Sequence, residues 1–127
     1  MAYLFLRMED VIALHTAILD TSGGSHGIRD KGGLESALNA AENRFFYEDA
    51  SLAICAATYA YHLNMAHAFI DGNKRIAIAA AEAFVMLNGR ALDASDGELR
   101  DLMLAVAAGE LTRSAVEAFF GQHINPD

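Results

Sequence analysis

Residues 76–87 read Ile76-Ala77-Ile78-Ala79-Ala80-Ala81-Glu82-Ala83-Phe84-Val85-Met86-Leu87, with Glu82 the single charged residue. A helix that is apolar all round must be buried over most of its circumference. The run therefore predicts a central helix over 72–88, stopped by Gly89. Upstream, 50–66 predicts a second long helix of little charge, with Asp49 placed as its N-cap. The link at 67–71 is short enough that it must turn the chain straight back. Two central antiparallel helices follow, and the remaining segments have to wrap them.

Working outward, 8–20 predicts a helix with Val11, Leu14 and Ile18 at spacings of three and four, and Asp10 in the first turn where the helix dipole favours it. Five of the ten glycines fall in 21–33, which makes that stretch a loop. It is longer than a usual connection, so it is either a functional, partner-facing segment or a plain surface connector. Residues 34–43 predict a short amphipathic helix with Leu34, Ala37, Leu38 and Ala41 on one face. Arg44-Phe45-Phe46-Tyr47-Glu48 reads either as a turn or flap packed on the body or as simple core contacts. Ser95 to Glu98 is a capping-box pattern opening a helix to Ala107. Thr112 caps a last helix ending near Gly121, with Val116, Phe119 and Phe120 inward. No stretch alternates with period two for long, and there is no internal repeat. The expected fold is all-α, one domain over 1–127, with about six helices around the two central antiparallel ones.

Composition narrows the function. A chain of 127 residues, 54% hydrophobic and 20% charged, can bury a core without staples. A net charge of −8 repels nucleic acid and anionic lipid, leaving a protein partner or a small molecule held by a local basic patch. Cys55, the lone cysteine, lies in an apolar run and reads as a buried small hydrophobe. The apolar start at 1–6 is too short for a signal-peptide core and has no basic residue before it. No segment reaches the length of a membrane span, so the expected compartment is the cytoplasm.

The chemistry concentrates in His67-Ala68-Phe69-Ile70-Asp71-Gly72-Asn73-Lys74-Arg75, between the two apolar segments. Asp71 lies just before the central helix, so Gly72, Asn73, Lys74 and Arg75 form its first turn. Unpaired N–H groups and the positive end of the dipole make such a turn an anion site. Gly72 lets a ligand approach the backbone, and Asn73 can donate an amide N–H. Lys74 and Arg75 add charge, Arg being able to grip phosphate oxygens in pairs. His67, across the link, can take a proton from an attacking hydroxyl near neutral pH. Asp71 can hold Mg²⁺ against phosphates. Each residue also has a plainer role: Asp71 as N-cap, Asn73 in turn hydrogen bonds, His67 as a structural imidazole. A metal hydrolase on His62, His67 and Asp71 is disfavoured, since a spacing of five puts His62 and His67 on different faces.

Together the nine residues match His-x-Phe-x-Asp/Glu-Gly/Ala-Asn-Lys/Gly-Arg, the signature of the Fic/Doc family, at every position. At ordinary residue usage a chance match at a given start is below roughly one in ten million. Residues 23–30, 34–38 and 104–111 also resemble the Doc (death-on-curing) subgroup, so the likeness spans nearly the whole chain. The resemblance implies an enzyme that moves part of a nucleotide onto a protein hydroxyl. It implies His67 as base, Asp71 as the magnesium ligand, Gly72, Asn73 and Arg75 as the anion hole, and Phe69 as the anchor of the link. Adenylyl-transferring members carry glycine where this chain has Lys74 and a second arginine where it has Ile78. Those departures, with Ala68 in place of proline, resemble the Doc subgroup. There the resemblance implies that ATP lies reversed and its γ-phosphate goes to a threonine of elongation factor Tu, halting translation. The alternatives are an adenylyltransferase and a catalytically inactive nucleotide-binding module. The family's inhibitory Ser/Thr-x-x-x-Glu-Gly/Asn motif is absent: Glu42-Asn43 is the single candidate and Leu38 stands four residues before it. Inhibition by a separate antitoxin chain is therefore implied.

Overall fold

Four short polar side chains set where helices begin. Asp30, Ser51, Ser95 and Thr112 accept hydrogen bonds from the N–H groups of Gly33 (2.9 Å), Ile54 (3.3 Å), Glu98 (3.1 Å) and Ala115 (3.3 Å). Each satisfies a donor that the helix itself cannot. The computed structural model describes residues 3–125, and within them the chain forms α1 (Met8–Ser22), α2 (Lys31–Glu48), α3 (Leu52–Ala66), α4 (Asn73–Leu87), α5 (Asp96–Ala107) and α6 (Arg113–His123). The fold is all-α, as the sequence predicts. Isolated bridges at Ile28–Phe69 and Leu92–Ile124 are the β-type pairings among the described residues.

The hub is α3. It packs most extensively on α4 and α2, with α6 and α5 completing its surroundings, while α1 leans on α4. Ala56, Ala57 and Ala60 of α3 and Ala77, Ala80 and Ala81 of α4 are fully buried. Small side chains on both helices let the backbones approach closely, and Tyr59, Leu63, Ile76 and Phe84 fill the flanks. No helix among the described residues is long and apolar enough to cross a membrane.

Three expectations are corrected. Arg44–Glu48 is not a turn or flap but the last turn of α2, where Arg44 pairs with Glu48 (3.3 Å) and with Glu117 of α6. Phe45 packs against Tyr3 and Phe5, while Phe46 and Tyr47 stand 65% and 84% exposed. Asp49 does not cap α3. It closes α2 in left-handed backbone (φ 53°), and Ser51 opens α3. The loop is also shorter than 21–33, because Thr21 and Ser22 stay helical, bonding the carbonyls of Ala17 and Ile18, and α2 starts at Lys31.

Candidate active site

Between α3 and α4 the link turns tightly, and Asn73 organises it. Its Oδ1 accepts from the Phe69 N–H (3.0 Å) and its Nδ2 donates to the Phe69 carbonyl (2.9 Å). The amide thus makes turn hydrogen bonds with both ends, and Asn73 offers a ligand its backbone N–H and the second N–H of its Nδ2. Phe69 is 2% exposed and stacks on the His15 ring, centroids 3.8 Å apart. The anchor expected at Phe69 is present, and His15 is its partner.

Gly72 is the N-cap of α4, with φ 75°. A side chain there would be strained and would crowd Leu19 Cδ2 (3.2 Å). Beyond it, the N–H groups of Asn73, Lys74 and Arg75 have no acceptor among the described residues. They are the unpaired donors that the sequence reading assigns to an anion site at this helix start. Lys74 also makes no hydrogen bond or ion pair among the described residues. Arg75 is more committed: its Nη1 donates to Ser22 Oγ (2.7 Å) and the Gly23 carbonyl (3.2 Å), and its Nη2 lies 3.8 Å from Asp71. Of these two cations Lys74 is uncommitted among the described residues, and Arg75 ties the helix start to the loop.

That loop, 23–30, is bonded to the link and braces it from outside the pocket. Arg29 and Asp30 donate their N–H groups to the Ala68 carbonyl (2.7 and 3.0 Å), and the Ile70 N–H donates to Gly27 (3.1 Å). The Arg29 guanidinium donates to the His67 carbonyl (2.6 Å). Gly24 comes so near Asp71 that a Cβ there would lie 2.8 Å from Oδ2. The Asp71 carboxylate accepts from the Ser25 N–H (3.2 Å) and the Gly72 N–H (2.8 Å). The Ser25 bond first, then the Gly72 bond, hold its pKa below the ordinary carboxylate value.

His67 closes α3 in left-handed backbone, φ 47° and ψ 45°, with its side chain exposed. It opens with Asp71, Gly72, Asn73, Lys74 and Arg75 onto one pocket of about 640 Å³, whose floor runs along Ile78 and Ala79 to Glu82. All six expected site residues are thus brought together. His62 is not: it faces a separate, smaller pocket with Asp30 and Ser36. No three His, Cys, Asp or Glu side chains converge as a metal cage among the described residues, which removes the metal-hydrolase reading. One ionised, half-exposed carboxylate beside an anion site suits Mg²⁺ carried largely by substrate phosphates.

Sequence reading missed His15. It is 2% exposed, and its Nε2 bonds the Asp71 carbonyl (2.7 Å). The signal was there: a polar residue four positions from both Val11 and Leu19, on the buried stripe of α1. Ser25 and Arg29 act through a loop with no periodic pattern; the family resemblance marks the segment 23–30 but gives neither residue a role.

Comparison with known proteins gives the same placement. The Fic/DOC family pattern matches residues 5–85. The chain is 37% identical to Protein kinase doc of Escherichia phage P1 over 109 residues, 85% of this chain and 86% of that one. It is 34% identical to Toxin Doc of Mycolicibacterium smegmatis (strain ATCC 700084 / mc(2)155) over 118 residues, 90% of this chain and 88% of that one. With the signature at 67–75 folded into one pocket and the likeness extending over most of its length, the chain belongs to the Fic/Doc family.

Proposed function

We propose that this protein is a Doc-type toxin: a protein kinase that transfers the γ-phosphate of ATP to a threonine hydroxyl of elongation factor Tu and so inhibits translation. The observation that carries the reading is His67 facing the same pocket as the unpaired N–H groups of Asn73, Lys74 and Arg75. In the reaction, the threonine oxygen bonds to the γ-phosphorus while the bond from that phosphorus to the β–γ bridging oxygen breaks. ADP leaves, and the hydroxyl proton passes to the His67 imidazole. The first turn of α4 stabilises the charge on the phosphoryl oxygens, and Lys74 adds a point charge there. Mg²⁺, when bound beside Asp71, neutralises phosphate charge. The names of the two relatives support toxin and kinase activity.

Ile78 lines the pocket where adenylyl-transferring members have a second arginine, and Lys74 stands beside the anion site, which favours γ- over α-phosphoryl transfer. The sequence lacks the family's Ser/Thr-x-x-x-Glu-Gly/Asn inhibitory motif, so a separate antitoxin polypeptide is the proposed regulator, and the cytoplasm the proposed location. Purified protein with ATP labelled at the γ-phosphate should label elongation factor Tu, and His67→Ala should abolish labelling. Transfer of α-label alone would make the protein an adenylyltransferase. Unchanged cell toxicity in variants of both His67 and Asp71 would make the site a relic.

A further inference from the structure

The pocket is longer than its phosphate end requires. From the first turn of α4 it follows the Arg75, Ile78, Ala79 and Glu82 face of that helix to Asp96, Arg100 and Leu104 of α5. Glu82 lies seven positions after Arg75, about 10 Å along a helix axis. The far end is thus spaced from the anion site as one end of an elongated ligand is from the other. Its chemistry differs: two carboxylates, Glu82 and Asp96, stand there with one cation, Arg100, and between the two ends lie apolar Ile78 and Ala79.

Glu82 has no evident structural task. It is the one charged residue between Ile76 and Leu87, it is half-buried, and its side chain makes no hydrogen bond or ion pair among the described residues. Burial, then the Asp96 charge, push its pKa up, so it lacks compensation in the free protein. A half-buried carboxylate left unpaired is costly unless a ligand completes it.

We propose that the Glu82 end of the pocket receives the nucleoside part of the substrate, with the Glu82 carboxylate accepting a hydrogen bond from a nucleoside donor, either a ribose hydroxyl or the exocyclic amine of the base. This rests on the nucleotide reading of the 72–75 end. Glu82 is then a specificity determinant for the molecule that carries the phosphate.

The test compares binding of Mg²⁺-tripolyphosphate and Mg²⁺-ATP by calorimetry in the natural protein, Glu82→Ala and Glu82→Gln. The natural protein should bind ATP more tightly than tripolyphosphate. Glu82→Ala should weaken ATP about tenfold, as befits a lost bond to a charged group, and Glu82→Gln should weaken it less. Removing a negative charge strengthens anion binding at long range, so tripolyphosphate should hold its affinity or gain. A through-space or folding effect moves both ligands together; only direct contact separates them. The discrimination that disappears in Glu82→Ala names the donor: against 2′,3′-dideoxy-ATP for the ribose, against inosine triphosphate for the amine. Equal binding of ATP and tripolyphosphate by the natural protein, or full ATP affinity in Glu82→Ala, overturns the proposal. Failure of the natural protein to bind either ligand is a separate result, which rejects the phosphate end at 72–75 and this inference with it.

Discussion

His67 occupies left-handed backbone although it is not glycine, and its carbonyl is taken by Arg29 while its imidazole makes no hydrogen bond or ion pair among the described residues. A non-glycine residue there costs about 1–2 kcal/mol, so its retention points to the side chain rather than to the fold. His67→Gly should therefore abolish phosphoryl transfer while leaving stability unchanged or raising it by about 1 kcal/mol, measured by urea unfolding. A large loss of stability would mark His67 as structural. Asp71 gives a second residue-level prediction. A carboxylate whose folded pKa is depressed contributes stability above its unfolded value and loses it as pH falls through the folded one. Its NMR titration midpoint should therefore lie below the ordinary 3.8. A midpoint above that value would contradict the Ser25 and Gly72 bonds. His15 acts through the link. His15→Leu removes the partner of the Asp71 carbonyl, which should cost about 1–3 kcal/mol in stability. It should also raise the Mg²⁺ concentration needed for half-maximal activity, an effect that packing loss alone does not produce.

At the scale of elements, the caps carry the clearest lesson. Asp49 and Ser51 are both good N-cap residues, two positions apart, and sequence preference alone does not choose between them. The structure chooses Ser51 because α2 runs on through Glu48 and requires a left-handed residue at Asp49 to end it. Ser51→Ala should cost about 1 kcal/mol, whereas Asp49→Gly should gain up to about 1 kcal/mol by relieving the strained backbone. Thermal unfolding of the two variants reads both signs, and the reverse pattern would restore Asp49 as the cap of α3. The aromatic run misled for a related reason. Phe45, Phe46 and Tyr47, three adjacent aromatics with charged neighbours, read either as a turn or flap or as core contacts. In the structure Phe45 alone packs inward, and Arg44 holds the last turn by reaching Glu48 and Glu117.

For the whole molecule, Cys55 reports on the core. It is fully buried between α2 and α3, and burial pushes its thiol pKa up to about 11 from 9.0. The unfolded chain gives up that proton first, so the contribution of Cys55 to stability is complete below about pH 9 and is lost as pH rises towards about 11. Alkylation of Cys55 near neutral pH should follow global unfolding; fast labelling of the folded protein would show an opening in the core. The sequence by itself determined the two buried helices, the polar link between them and the anion site at the start of α4. Each follows from local rules of periodicity, helix ends and residue chemistry, and the signature at 67–75 adds the family. Only the tertiary structure decided that His15 holds the Asp71 carbonyl, that loop 23–30 is laced to the link, and that the face of α4 carrying Glu82 meets α5 in one pocket. Those contacts join residues far apart in the chain through close packing and backbone hydrogen bonds, which leave no periodic trace in the order of amino acids.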